Sequence, residues 1–77
     1  MEEKVIKILT EIRPEFDFNE SEDFIEDGYL DSFDIVTVID ALEKEFGIVI
    51  DGIDIIPENF ANIEAIISLI EKSDKRN

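Results

Sequence analysis

Ser32 is the residue in this chain best placed to do chemistry. It sits in Gly28-Tyr29-Leu30-Asp31-Ser32-Phe33-Asp34, where a long acidic stretch gives way to the most regular amphipathic pattern in the sequence. Asp31 suits the N-cap of a helix, because its carboxylate can accept a free backbone N–H of the first turn. Asp34 adds a second negative charge where the helix dipole favours one. Gly28 lets the backbone turn, and Leu30 supplies an apolar anchor. The stretch therefore presents one hydroxyl at a defined place on a rigid element. Nothing in the sequence activates that hydroxyl. The chain has no histidine and no cysteine, which excludes a Ser-His-Asp triad and His- or Cys-based zinc sites. A serine without a base is a poor nucleophile. Gly28, Gly47 and Gly52 are too scattered to cradle a phosphate. Paired carboxylates can do acid–base work, but so small a domain lacks room for a deep pocket. No catalytic residue is expected; if Ser32 matters, another protein acts on it.

Four elements must position this serine. Val5, Ile8, Leu9 and Ile12 fall at i, i+3, i+4 and i+7 and predict a helix over residues 2–13, stopped by Pro14. A long connection over residues 15–31 has no sustained periodicity. Phe16, Phe18, Phe24, Ile25 and Leu30 should pack it onto the helices, with a short helical turn around Ser21–Phe24. Its acidic run is no EF-hand, since Glu22 and Gly28 stand where that loop needs Gly and Glu. No metal site is expected. Ile35, Val38, Ile39, Leu42 and Phe46 predict a second helix over residues 32–46, with Val36 widening the stripe and Gly47 ending it. Residues 48–56 read either as a two-residue hairpin or, preferably, as an extended and partly buried loop, because a lone hairpin is marginal in water. Pro57 can open a short third helix over residues 57–61, anchored by Phe60. Asn62 caps a last helix carrying Ile63, Ile66, Ile67 and Ile70. Residues 73–77 read as a frayed polar tail. The expected architecture is all-α: a small four-helix bundle, three main helices plus the short third one, with a long loop after helix 1. Residues 1–77 form one free-standing domain on this reading, with no internal repeat and no linker.

Composition narrows the function classes. The 77 residues carry a formal net charge of −14, yet 44% are hydrophobic, too many for a disordered acidic tail. No apolar run is long enough to cross a bilayer, and Met1-Glu2-Glu3 lacks the basic start of a signal peptide. A soluble, cytoplasmic monomer is expected. From Pro14 through Glu71 only Lys44 is basic, against seventeen Asp and Glu. Such a middle repels nucleic acid and attracts basic protein surfaces.

The sequence resembles the acyl carrier protein family, which includes fatty-acyl, peptidyl and D-alanyl carriers. Leu30-Asp31-Ser32-Phe33-Asp34 is similar to the family's Asp-Ser-Leu attachment motif. Ala41-Leu42-Glu43-Lys44-Glu45-Phe46-Gly47-Ile48 resembles the end of its second helix, and Ile50-Asp51 the acidic loop that follows. Pro57-Glu58-Asn59-Phe60-Ala61-Asn62-Ile63 resembles its short third helix and the start of the fourth. The resemblance implies that a phosphopantetheinyl transferase moves the 4'-phosphopantetheine arm of coenzyme A onto Ser32, with Mg²⁺ needed only during loading and held in part by Asp31. The arm's thiol would hold an acyl or aminoacyl cargo as a thioester, in fatty acid, polyketide or nonribosomal peptide biosynthesis. Asp31, Phe33, Asp34, Thr37, Asp40 and Glu43 would dock on basic patches of the transferase and of acyl- or aminoacyl-loading and acyl-transfer enzymes. Phe33 replaces the family's usual leucine, as in D-alanyl and some peptidyl carriers. Thr37-Val38 stands where fatty-acid carriers often have Glu-Leu, which thins the acidic face. The alternative is an acidic helical interaction domain without a prosthetic group that binds a basic partner protein.

Overall fold

Helix α1 (Glu2–Ile12) buries Val5, Ile8 and Leu9 along one stripe. It ends one residue earlier than the periodicity predicts. Arg13, ahead of Pro14, leaves helical geometry at φ −131° and ψ 77° and still donates its N–H to Leu9, as a residue before proline is pushed to do. The computed structural model describes residues 1–75. Helix α2 (Ser32–Phe46) ends on Gly47 in the left-handed conformation, φ 61°, which glycine adopts without steric cost. Helix α3 (Ile63–Lys72) starts at Asn62, whose side chain accepts the Ala65 N–H at 2.8 Å. Helix α1 packs against both α2 and α3.

The described residues are mostly helical, with three α-helices and a small sheet. The short helix expected over residues 57–61 is a 3₁₀ helix, Pro57–Phe60, with proline in its first turn and Phe60 fully buried. A second 3₁₀ helix covers Gly52–Asp54, where Asp51 Oδ1 accepts the Ile53 N–H at 3.2 Å. No hairpin forms across Asp51-Gly52. Strand β1 (Ile48–Val49) instead pairs antiparallel with β2 (Asp74–Lys75), Ile48 opposite Lys75 and Val49 opposite Asp74. Part of the segment expected to be a frayed tail is therefore hydrogen-bonded; Arg76 and Asn77, the rest of it, lie outside the described residues.

Two stripes differ in detail from their expected membership. Val36 is 68% exposed. It lies about 100° around the helix from Ile35, too far to share the face of the buried Val38 and Leu42. In α3 the buried residues are Ile66, Leu69 and Ile70. Leu69 takes the place assigned to Ile63 and Ile67, which pack half-buried at the edge.

The long connection closes on itself. Phe18, Phe24 and Leu30 are buried, and the Phe16 and Tyr29 rings stack at 4.4 Å between centroids. Its helical turn begins at Asp23, later than expected. Asp23 Oδ1 accepts the N–H groups of both Ile25 and Glu26, and Asp27 N–H closes the turn onto the Asp23 carbonyl. The Asp23 side chain, which caps the backbone just after it, sets where the turn starts. The Phe24 N–H then reaches the Ala61 carbonyl at 2.6 Å, which ties the connection to the start of α3.

Candidate functional site

Asp31 and Asp34 hold the start of α2 with a reciprocal pair of hydrogen bonds. Asp31 Oδ1 accepts the Asp34 N–H at 3.0 Å, and Asp34 Oδ2 accepts the Asp31 N–H at 3.1 Å. Both N–H groups would otherwise lack intrahelical partners. Ser32, between them, is the first residue of the helix and is exposed. The approach is fixed just before it. Gly28 has φ 75°, and the N–H groups of Tyr29 and Leu30 both donate to the Phe24 carbonyl, at 2.8 and 3.1 Å. Leu30 is buried and anchors the last step.

The charges here are not free. Arg13 Nη1 donates to Asp34 Oδ2 at 2.8 Å, and Arg13 Nε to Glu15 Oε2 at 2.9 Å. The Asp34 side chain is only 15% exposed. The Asp34 N–H, then the Phe33 N–H and the Arg13 charge, hold the Asp31 carboxyl below the usual carboxylate range against a partial desolvation. Glu15 is held low as well, chiefly by its own backbone N–H and, after desolvation has offset part of that, by Arg13.

Beside Ser32 lies an apolar groove of about 340 Å³. Leu30, Ile35, Val36, Ile55, Ile56 and Pro57 line it, and the exposed Asp31 and Ser32 stand at its edge. Phe33, 84% exposed, projects from the first turn of α2 next to Ser32.

The residues expected to form a docking face do not all face the same way. Asp31, Ser32, Phe33, Thr37 and Asp40 are exposed. Thr37 Oγ1 donates to the Phe33 carbonyl at 3.4 Å, and Asp40 pairs with Lys44 at 3.1 Å, an exposed i,i+4 pair worth a few tenths of a kcal/mol. Asp34 and Glu43 are half-buried. Asp34 faces Arg13, and Glu43 Oε2 accepts the Ile50 N–H at 3.0 Å, so both serve the fold. Sequence reading missed Arg13 at this site and missed the rim made by Ile55 and Ile56. The clue to the rim was the apolar run Ile53-Asp54-Ile55-Ile56, too apolar for an ordinary loop. Among the described residues no group of three or more Asp or Glu could hold a metal ion, and no helix is long and apolar enough to cross a membrane.

An exposed alcohol at the start of a rigid helix, beside an apolar groove, suits attachment of a group by another enzyme. The family model for the phosphopantetheine attachment site matches residues 3–70. No curated protein and no solved structure matches the chain significantly. The chain belongs to the phosphopantetheine-attachment family. It is a carrier that bears a 4'-phosphopantetheine prosthetic group and is acted on by other enzymes, among them a phosphopantetheinyl transferase. This sets aside the alternative of an interaction domain without a prosthetic group.

Proposed function

We propose that Ser32 carries the arm and that the chain is a one-domain carrier of short acyl or aminoacyl groups. The observation that supports this best is the exposed Ser32 hydroxyl on a doubly capped helix start, at the edge of the apolar groove and inside the matched residues. The arm supplies a thiol that a chain without cysteine lacks. The chain's own residues supply placement. Asp31 and Asp34 fix the first turn, Leu30 pins the approach, and the groove offers apolar contact to whatever is tethered beside it. On this reading the 3₁₀ helix Pro57–Phe60 stands in for the short third helix of a four-helix carrier bundle.

Two features favour short cargo. Phe33 stands next to Ser32, as in carriers that resemble the D-alanyl and peptidyl kinds. Half of the buried hydrophobic residues are β-branched, Val5, Ile8, Val38, Ile48, Ile50, Ile66 and Ile70, and branched side chains have few rotamers and yield poorly to a guest chain. Loading and transfer enzymes with basic patches would meet the outward Asp31, Phe33, Thr37 and Asp40, with Asp34 and Glu43 adding charge from behind.

Incubation with coenzyme A, Mg²⁺ and a broad-specificity transferase should add one phosphopantetheine by intact mass, and Ser32→Ala should take up none. Addition at Ser21 or Ser68 with Ser32 untouched would overturn the assignment. Cargo is read by loading Ser32 with acetyl, alanyl and long-chain acyl arms in turn. A Tm raised by several degrees by the long chain alone would overturn the short-cargo reading.

A further inference from the structure

Capping boxes ordinarily pair a neutral Ser or Thr with Glu or Gln. Here both partners are carboxylates, Asp31 and Asp34, each accepting the other's backbone N–H. Two like charges in one first turn repel, and the Asp34 side chain is also largely withdrawn from water, so it requires a cation or strong donors. Arg13 supplies them from twenty-one residues away in sequence. Its Nη1 meets the same Asp34 oxygen that accepts the Asp31 N–H. The rest of its guanidinium is held in place. Nε bonds Glu15, and the central carbon lies 5.1 Å from the centre of the Phe16 ring, which stacks on Tyr29. One side chain therefore joins the end of α1, the aromatic connection and the first turn of α2.

We infer that Arg13 is a positioning residue for the loading of Ser32. It offsets the repulsion within the Asp31–Asp34 box and thereby keeps the turn that carries the serine hydroxyl from fraying. This rests on Ser32 being the attachment point. Without Arg13 the Asp34 carboxylate would turn toward water, the Asp31 N–H would lose its acceptor, and Ser32 would sample positions away from the one a transferase must meet. Misplacement of a reacting atom lowers turnover more than affinity.

The experiment measures steady-state transfer from coenzyme A onto wild type, R13Q, D34N, R13Q/D34N and K7Q. K7Q removes the same charge from an exposed site on α1. R13Q should lower kcat/KM about tenfold, mostly through kcat, with a cooperative thermal transition by circular dichroism retained. The side-chain amide introduced by D34N can still accept the Asp31 N–H but carries no charge to offset. In that background the Arg13 change should therefore cost less than about threefold, a non-additivity expected of coupled residues. K7Q should load like wild type. Four results would each overturn the inference: R13Q loading at the wild-type rate, K7Q as slow as R13Q, a full tenfold loss persisting in the D34N background, or loss of the cooperative thermal transition in R13Q. If wild type itself loads at a residue other than Ser32, the attachment assignment fails instead, and the mass spectrum of wild type alone shows it.

Discussion

Two irregular connections flank the groove beside Ser32, and they treat their apolar residues in opposite ways. Residues 13–31 turn theirs inward. Phe18 and Phe24 are buried, and Phe16, Phe18, Phe24 and Tyr29 stack or meet edge to face at 4.4 to 6.4 Å between ring centroids. Residues 47–62 bury Ile48, Ile50 and Phe60 but leave Ile53 82% exposed, with Ile55 and Ile56 exposed as well. The second connection does not lack order. Asp51 caps its first 3₁₀ helix, Asn59 Nδ2 donates to the Asp54 carbonyl at 2.7 Å, and Lys72 pairs with Asp54 at 3.1 Å. Its backbone bonds largely to itself, with polar side chains adding further bonds, so Ile53, Ile55 and Ile56 are not needed as anchors. Burying one of them would stabilise the chain by about 1.5–3 kcal/mol, and the fold forgoes that gain beside the groove. One connection fixes the approach to Ser32, and the other leaves apolar surface exposed beside the groove.

Substitutions can break this contrast. The largest effect belongs to the inward connection. Phe24→Ala should cost about 3–5 kcal/mol, because the ring is fully buried against Phe18 and Tyr29. Urea unfolding followed by circular dichroism measures it, and a loss below about 1 kcal/mol would mean the aromatic cluster is not an anchor.

A smaller effect is expected where that connection meets α2. The fold holds Asp31 below the usual carboxylate range, mainly through the Asp34 N–H. The unfolded chain therefore binds that proton more readily, and the contribution of the charged group is present above the ordinary carboxylate value and lost as pH falls through the lowered one. Asn caps about as well as Asp, so Asp31→Asn isolates the charge. The variant should melt below wild type at pH 7, and the gap should close as pH drops below about 4. A gap independent of pH would assign the effect to shape alone.

The smallest effect belongs to the outward connection. Ile53→Ser should change stability by no more than about 0.5 kcal/mol. A cost near that of Phe24→Ala would show that the two connections are not built differently after all.

What could be read ahead of the structure was what is written locally. The three helices came from apolar spacing, and their ends from Asp31, Gly47, Asn62 and Pro14, each of which acts within a few residues of itself. Ser32 stood out because the groups that present it are its near neighbours. The features that escaped are those set by chain segments far apart. Arg13 and Asp34 meet across twenty-one residues, and nothing in either neighbourhood announces the other. The β1–β2 ladder joins Ile48–Val49 to Asp74–Lys75, and two residues are too few to show a period. Glu43 was expected on the outward, charged side of the second helix. The bare N–H of Ile50, just past the helix end, draws its carboxylate back.

Tyr29 gives the inward connection a property of a different kind. It is the chain's one tyrosine, and there is no tryptophan. Absorption and emission beyond the phenylalanine bands therefore come from a single ring, stacked on Phe16 with an 11° tilt and edge-on to Phe18. A phenol held in that asymmetric setting carries a near-ultraviolet dichroic signal that disappears when its neighbours part. The protein thus contains its own optical gauge, three residues upstream of Ser32, which registers without any added label whether the aromatic connection stays shut.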